Sequence, residues 1–299
     1  MNASEVPAAP DAAADGADSL SKPDTPATFA TGVTPVAAIV ISAMPEEMAP
    51  MRKLLQAENW RSQAVASPIG NLTICEQSNA AEIADAKQAE SAPSAANTCE
   101  GTVNLLLAVT GIGFAATASC LGWLLAHYAP AAIISIGSAG GLAATAQVRE
   151  VILGVSYRHG GADGTAFGYV RGQVPGQPEF FAADPALLAA ASVAALDEPT
   201  LDEVIIRTGE MLSADTFVTA ANVGDMRAAF PAAYSTDMES YAAAHVAHQF
   251  GVPFISIRAI SDLCAPPAEQ AQQFHAELAE VAELSARTAL ATLQNLQHL

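Results

Sequence analysis

Apolar positions along this chain follow two alternating rhythms: short unbroken runs, and longer stretches with a period near 3.6. Runs of the first kind cover residues 36–42, 70–76, 103–109, 132–136, 150–155, 204–208 and 253–262. They have the length and the Val, Ile and Leu content of strands. The helical rhythm covers residues 45–55, 115–128, 185–195, 225–229, 239–250 and about 268–293. Pro45 falls in a first turn, where its missing N–H costs nothing, and Gly251 follows residues 239–250 as a C′ residue. The strand 103–109, helix 115–128 and strand 132–136 form a βαβ unit, which pairs its strands in parallel through a right-handed crossover. These elements predict an α/β fold: a single domain with a central mixed β-sheet flanked by α-helices.

The rhythm is absent at two places. Residues 1–35 are rich in Ala, Asp, Pro and Ser, and the first 22 carry neither a basic region nor an apolar one. They are expected to be a disordered tail and not a signal peptide. Residues 77–100, rich in Ala, Ser and Glu, show no period and read as an exposed insertion in a domain of residues 36–299. Residues 160–177 hold many Gly and Pro, with Phe167, Tyr169 and Pro175 as the large side chains, and predict an extended loop.

Composition narrows the function classes. At 299 residues and 51% hydrophobic content the chain can bury a large core. Its net charge of −19, with only 12 Lys and Arg, argues against nucleic acid or an anionic membrane as a partner, since both need cations to meet phosphate. The most apolar stretch, 123–136, is broken by His127 and Pro130, so no membrane span is predicted. Cys75, Cys99, Cys120 and Cys264 show no C-x-x-C spacing, and Cys120 lies in an apolar helical stretch; a reducing cytoplasm fits.

Candidate chemistry gathers where strands end. Thr110-Gly-Ile-Gly-Phe-Ala-Ala116 has the G-x-G-x-x-A form of a dinucleotide loop, but no Asp or Glu follows before Glu150 to hold a ribose hydroxyl, so we reject a dinucleotide cofactor. Gly137-Ser-Ala-Gly-Gly141, after strand 132–136, lets backbone approach a ligand. Glu46 and Glu47 suit a first helical turn on electrostatic grounds alone. Glu239 completes Thr236-Asp-Met-Glu239, a possible capping box. Asp262, at the end of strand 253–262, is too far from the last helix to cap it and is the carboxylate least explained by structure. His245 and His248, without a third ligand, read as helix-surface residues and not as a metal site.

Taken together, Ala43-Met-Pro-Glu-Glu47, Thr110-Gly-Ile-Gly113, Gly137-Ser-Ala-Gly-Gly-Leu142, Thr165-Ala-Phe-Gly-Tyr169, Asp237-Met-Glu239 and Arg258-Ala-Ile-Ser-Asp262 resemble the nucleoside phosphorylase/hydrolase superfamily. Within it they are most similar to the methylthioadenosine/adenosylhomocysteine nucleosidases. The resemblance implies hydrolysis of the N-glycosidic bond of an adenine nucleoside without metal or cofactor. It implies that Asp262 protonates N7 of the base, Glu47 activates the attacking water, and Glu239 binds ribose hydroxyls. Phe217 would stack on adenine while the Val218 backbone reads its edge, with Met238 under the ribose and Ser138 beside it. Met44 and Phe274 would wall the 5′ pocket, and Phe167 and Pro175 would reach that pocket from the second subunit of a homodimer. The chain departs from the pattern at Pro45, in the tail and insertion, and in a longer segment between Asp262 and Phe274. A futalosine-type hydrolase, a phosphorylase on the same fold and a non-catalytic nucleoside-binding protein are the alternatives.

Overall fold

A computed structural model of the chain describes residues 32–77, 103–197, 201, 203–264 and 266–296. The predicted tail up to residue 31, the predicted insertion from residue 78, and Cys99 lie outside these residues. In chain order the elements are β1 (Thr34–Val36), β2 (Ala38–Ser42), α1 (Pro45–Ala57), β3 (Arg61–Val65), β4 (Leu72–Gln77) and β5 (Val103–Val109). They continue with α2 (Phe114–His127), β6 (Tyr128–Pro130), β7 (Ile133–Gly141), β8 (Val151–His159), β9 (Phe181–Ala182) and α3 (Pro185–Asp197). The last are β10 (Ile206–Ser213), α4 (Val223–Ala229), β11 (Ala233–Asp237), α5 (Ser240–Phe250), β12 (Phe254–Asp262) and α6 (Pro267–Leu296).

Among the described residues, a 10-stranded mixed sheet runs β11-β10-β8-β12-β7-β2-β5-β4-β3, with β9 beside β8. β11 also pairs antiparallel with β7, through Ser235 opposite Gly141 and Thr236 opposite Gly140, so β7, β12, β8, β10 and β11 close on themselves. In the expected βαβ unit, β5 and β7 pair not with each other but each in parallel with β2, which lies between them, and α2 joins them in sequence. Helix α6 packs on α1, α3, β12 and β7, and α2 packs on α5, so helices flank the sheet.

Every residue of β12 is buried, its isoleucines within the main core. Each such side chain contributes roughly 1.5–3 kcal/mol by leaving water. That rigidity matters because β12 carries both Arg258 and Asp262.

Three expectations need correcting. Residues 137–141 are not a loop beyond a strand but the last part of β7 itself, because the polar and small residues there pair with β11 and β12 instead of turning. β8 and β10 likewise extend to His159 and Ser213. His245 and His248 are not surface residues: half-buried, their rings lie 4.9 and 5.1 Å from the Phe181 ring.

Candidate active site

Glu47, Glu239 and Asp262 reach one cavity from three different strand ends. β2 stops at Ser42, and α1 begins at Pro45. The Glu47 carboxylate turns back to take the Ala43 and Met44 N–H groups on Oε2, at 3.1 and 3.2 Å. Its Oε1 takes the N–H and the hydroxyl of Ser138, at 2.9 and 2.8 Å. Glu47 is buried while Glu46 stays exposed. Glu47 caps the start of α1 through the Met44 N–H, and its second oxygen goes further by binding Ser138 of the sheet. A side chain at Gly137, whose φ is +143°, would place its Cβ 2.6 Å from Glu47 Oε1, so this close approach requires glycine.

Glu239 precedes α5 but does not cap it. Asp237 does, accepting the Glu239 and Ser240 N–H groups at 3.1 and 3.0 Å. The capping-box expectation for Glu239 is thus overturned: the shorter neighbouring carboxylate reaches the helix end and frees Glu239 for the cavity. Glu239 accepts the Gly113 N–H at 2.9 Å and faces Arg258 Nη2 at 3.3 Å. Burial is the main reason its carboxyl is pushed up to about 7, with Arg258 opposing and Asp237 reinforcing that rise. The glycine loop rejected as a dinucleotide site therefore holds a carboxylate instead.

Arg258 is fully buried on β12. It donates to Ser138 O at 3.1 Å and Ser135 Oγ at 3.2 Å, and its Nε lies 3.7 Å from Asp237. A buried guanidinium so completely paired is a fixed positive support for the carboxylates around it.

Asp262 ends β12 where the pairing register to β7 slips, leaving Ser261 without a partner across the ladder; such bulges re-aim side chains beside sites. Asp262 Oδ1 accepts the Cys264 N–H at 3.2 Å and the Gln270 amide, and Oδ2 faces the Ser261 hydroxyl at 2.8 Å. Burial raises the Asp262 carboxyl above its ordinary value despite those hydrogen bonds.

The cavity, of about 220 Å³, is lined by Met44, Glu47, Ser138, Phe217, Val218, Met238, Glu239, Asp262 and Phe274, as read from the sequence. Phe217 and Phe274 stand edge-to-face with centroids 6.2 Å apart. Phe167 and Pro175 are not brought to it: Phe167 is 82% exposed at the end of a 3₁₀ turn, Thr165–Phe167, in the predicted loop. Sequence reasoning assigned no role to Arg258, Asp237 or Gln270. The lone cation inside the apolar run of residues 253–262 was a readable signal for Arg258; Gln270 had none.

The family model for the phosphorylase superfamily matches residues 37–295. A curated relative from Anoxybacillus flavithermus (strain DSM 21510 / WK1), a 5′-methylthioadenosine/S-adenosylhomocysteine nucleosidase, is 39% identical over 161 residues, 54% of this chain and 68% of its own. The nucleosidase of that name from Neisseria meningitidis, solved with methylthio-immucillin-A, superposes with a TM-score of 0.71 at 30% identity, covering 87% of this chain and 99% of its own. That from Colwellia psychrerythraea 34H, solved with adenine, gives 0.71 at 26% identity, covering 91% and 98%.

Proposed function

The chain belongs to the phosphorylase superfamily, and within it to the 5′-methylthioadenosine/S-adenosylhomocysteine nucleosidases; from that premise we propose that its cavity of buried carboxylates is the catalytic site. The enzyme is a purine nucleosidase that hydrolyses the N-glycosidic bond of methylthioadenosine and adenosylhomocysteine, releasing adenine and the 5-thioribose product.

The observation that carries the assignment of roles is that four buried carboxylates line one cavity; Asp237 is spent on the start of α5 and the Ser213 hydroxyl, which leaves Glu47, Glu239 and Asp262 in three different hydrogen-bonding environments. Cleavage moves the C1′–N9 electron pair onto the purine, so a proton must arrive at N7. Asp262 supplies it. Its Oδ1 already accepts two N–H groups, so the proton rides on Oδ2. The Ser261 hydroxyl accommodates both states: it donates to ionised Oδ2, or turns its donor to Ala139 O at 3.2 Å and accepts from the acid. Water then bonds to C1′ and loses its proton to Glu47, whose four donors hold it in one orientation. Glu239, tied to Gly113 and Arg258, holds the ribose hydroxyls.

Phe217 stacks on the base, Val218 reads its edge, Met238 and Ser138 contact the ribose, and Met44 and Phe274 bound the 5′ substituent. Phe167 and Pro175 complete that pocket across a homodimer; the exposure of Phe167 supports this. Among the described residues Cys75, Cys120 and Cys264 are all free, which supports a cytoplasmic enzyme. Its place is methionine salvage, since the thioribose product keeps the methylthio sulfur. Incubation with methylthioadenosine and chromatography for free adenine tests the reading; intact nucleoside would overturn it.

A further inference from the structure

His159, the last residue of β8, meets the neck of the loop that carries Phe167 and Pro175. Its Nδ1 accepts the Gly161 and Ala162 N–H groups at 3.0 and 3.1 Å. A ring nitrogen that accepts cannot carry a hydrogen, so these contacts require the neutral ring with its proton on Nε2. Ala162 is also where the loop closes on itself. Its carbonyl accepts the Gly172 N–H at 3.0 Å, and Asp163 beside it pairs with Arg171 at 2.5 Å. Residues 162–172 are thus tied into one unit, which His159 holds at the neck. The ring itself is wedged in place, edge-on to Phe114 at 4.8 Å and 5.0 Å from Tyr241 of α5.

We propose that His159 is a positioning residue that makes this loop pH-sensitive: the neutral ring holds the loop in the pose that meets the 5′ substituent, and the protonated ring releases it. This rests on the nucleosidase reading and shared 5′ pocket above, and adds to them a residue and a pH dependence. A proton on Nδ1 turns the acceptor into a donor facing two donors, so neither hydrogen bond survives. The released ring binds that proton more readily than the held one, so falling pH populates release. Around the ring, α2 presents the Phe114 side chain and β10 sets uncharged Ser213 opposite. The Tyr241 phenol is pushed up to about 12 by burial and stays neutral. His245, 6.0 Å beyond Tyr241, is held below its ordinary value by burial and by His248. Asp215, just past β10, draws a proton to His159, but burial outweighs it and keeps the ring below the ordinary 6.5. The loop is therefore held at neutral pH.

The test separates the acceptor from the charge. In His159→Asn a side-chain oxygen can take the same backbone N–H groups, as Asn does in turns, but it does not titrate. His159→Phe keeps an aromatic ring against Phe114 and Tyr241 and loses the acceptor. The ratio of kcat/KM for 5′-methylthioadenosine over adenosine is followed from about pH 8 to about pH 5, which cancels titrations common to both substrates. In the wild type the ratio is expected to fall about tenfold below pH 6.5. His159→Asn should hold the neutral value throughout, and His159→Phe should stay about tenfold low at every pH. Hydrogen exchange of the Gly161 and Ala162 amides, corrected for intrinsic rates, reads the neck without turnover: protection should fall in acid in the wild type and persist in His159→Asn. Unchanged wild-type protection, or the same acid loss in His159→Asn, would overturn the role of His159 and leave the nucleosidase reading standing. Acid release with a flat wild-type ratio would overturn the link to the 5′ substituent. If the wild type released no adenine, the nucleosidase reading would fail, and the exchange measurement would still decide the part played by His159.

Discussion

Ser138 donates both its backbone N–H and its hydroxyl to a single oxygen of Glu47, at 2.9 and 2.8 Å, joining β7 to the start of α1 across 91 residues of sequence. The contact fixes which oxygen of Glu47 faces the sheet. It also makes the two residues separable by mutation, because the backbone donor survives any change at 138 except to proline.

Glu47→Gln replaces a proton acceptor by an amide that faces donors on both sides, and adenine release should fall by roughly 10²–10⁴. Ser138→Ala removes one of the four donors and should cost about tenfold. Steady-state adenine release from methylthioadenosine measures both. Equal losses in the two variants would mean that orientation, not proton transfer, is the contribution of Glu47.

Asp262→Asn keeps shape but has no proton to give, so turnover should drop by roughly 10²–10⁴ while inhibitor binding persists. Burial raises the Asp262 carboxyl, so the acid form survives above the ordinary carboxylate range and activity declines as rising pH removes its proton. That alkaline limb should vanish from the residual activity of Asp262→Asn. A variant with near-normal turnover would remove Asp262 from the mechanism.

Glu239 gives a prediction with a definite sign. Folded, its carboxyl keeps its proton up to about 7, against an ordinary value of 4.5. Between those two values the folded state binds more protons than the unfolded one, so this group's contribution to stability falls as pH rises from about 4.5 to about 7. In Glu239→Gln that loss is gone, and melting temperatures relative to wild type should climb across the same window. Glu239→Ala should raise KM by weakening the ribose contact. A capping role would instead cost about 0.5–2 kcal/mol of stability with kinetics unchanged.

The sequence made some of this site legible and hid the rest for identifiable reasons. β5 was readable because all its residues but Asn104 are apolar and its centre, Leu105 to Ala108, is buried in the sheet. β11 was not readable, because three of its five residues are Ser235, Thr236 and Asp237, polar groups buried for the sake of the cavity and of α5. The glycines of 137–141 look like punctuation, yet Gly137 is there to admit Glu47 and its neighbours extend the strand. Asp237, which spacing gave no role, takes the helix-start contact expected of Glu239 two residues on, since only coordinates reveal which carboxylate reaches the helix end. Gln270 was invisible because a polar residue on an amphipathic helix reads as solvent-facing until its partners are known.

The loop bearing Phe167 and Pro175 is expected to work only in an assembled enzyme. Phe167→Ala and Pro175→Ala should each raise KM for 5′-alkylthio substrates while leaving kcat for adenosine near wild type, because only the 5′ group meets the partner's loop. Sedimentation velocity should show a dimer. A fully active monomer would sink the shared pocket.

The final prediction concerns the nucleophile and rests on charge. A phosphorylase must hold a dianion beside C1′, which calls for free Arg or Lys side chains and backbone N–H groups at that point. Among the described residues lining the cavity, Arg258 is the one Arg or Lys, and it is already bound to Glu239, Ser135 and Ser138 O, with Asp237 3.7 Å away. The N–H groups of Ala43, Met44 and Ser138 are spent on Glu47. A phosphate about 4 Å from that carboxylate would be repelled by roughly 4 kcal/mol per unit charge at an effective dielectric near 20. Water meets no such barrier and finds an acceptor for its proton. In ¹⁸O-labelled water the sugar product should therefore be free 5-methylthioribose carrying one ¹⁸O at C1′, with no rate increase on adding phosphate. Appearance of the 1-phosphate would show that the Glu47 site admits an anion, and the hydrolytic role of Glu47 would have to be abandoned.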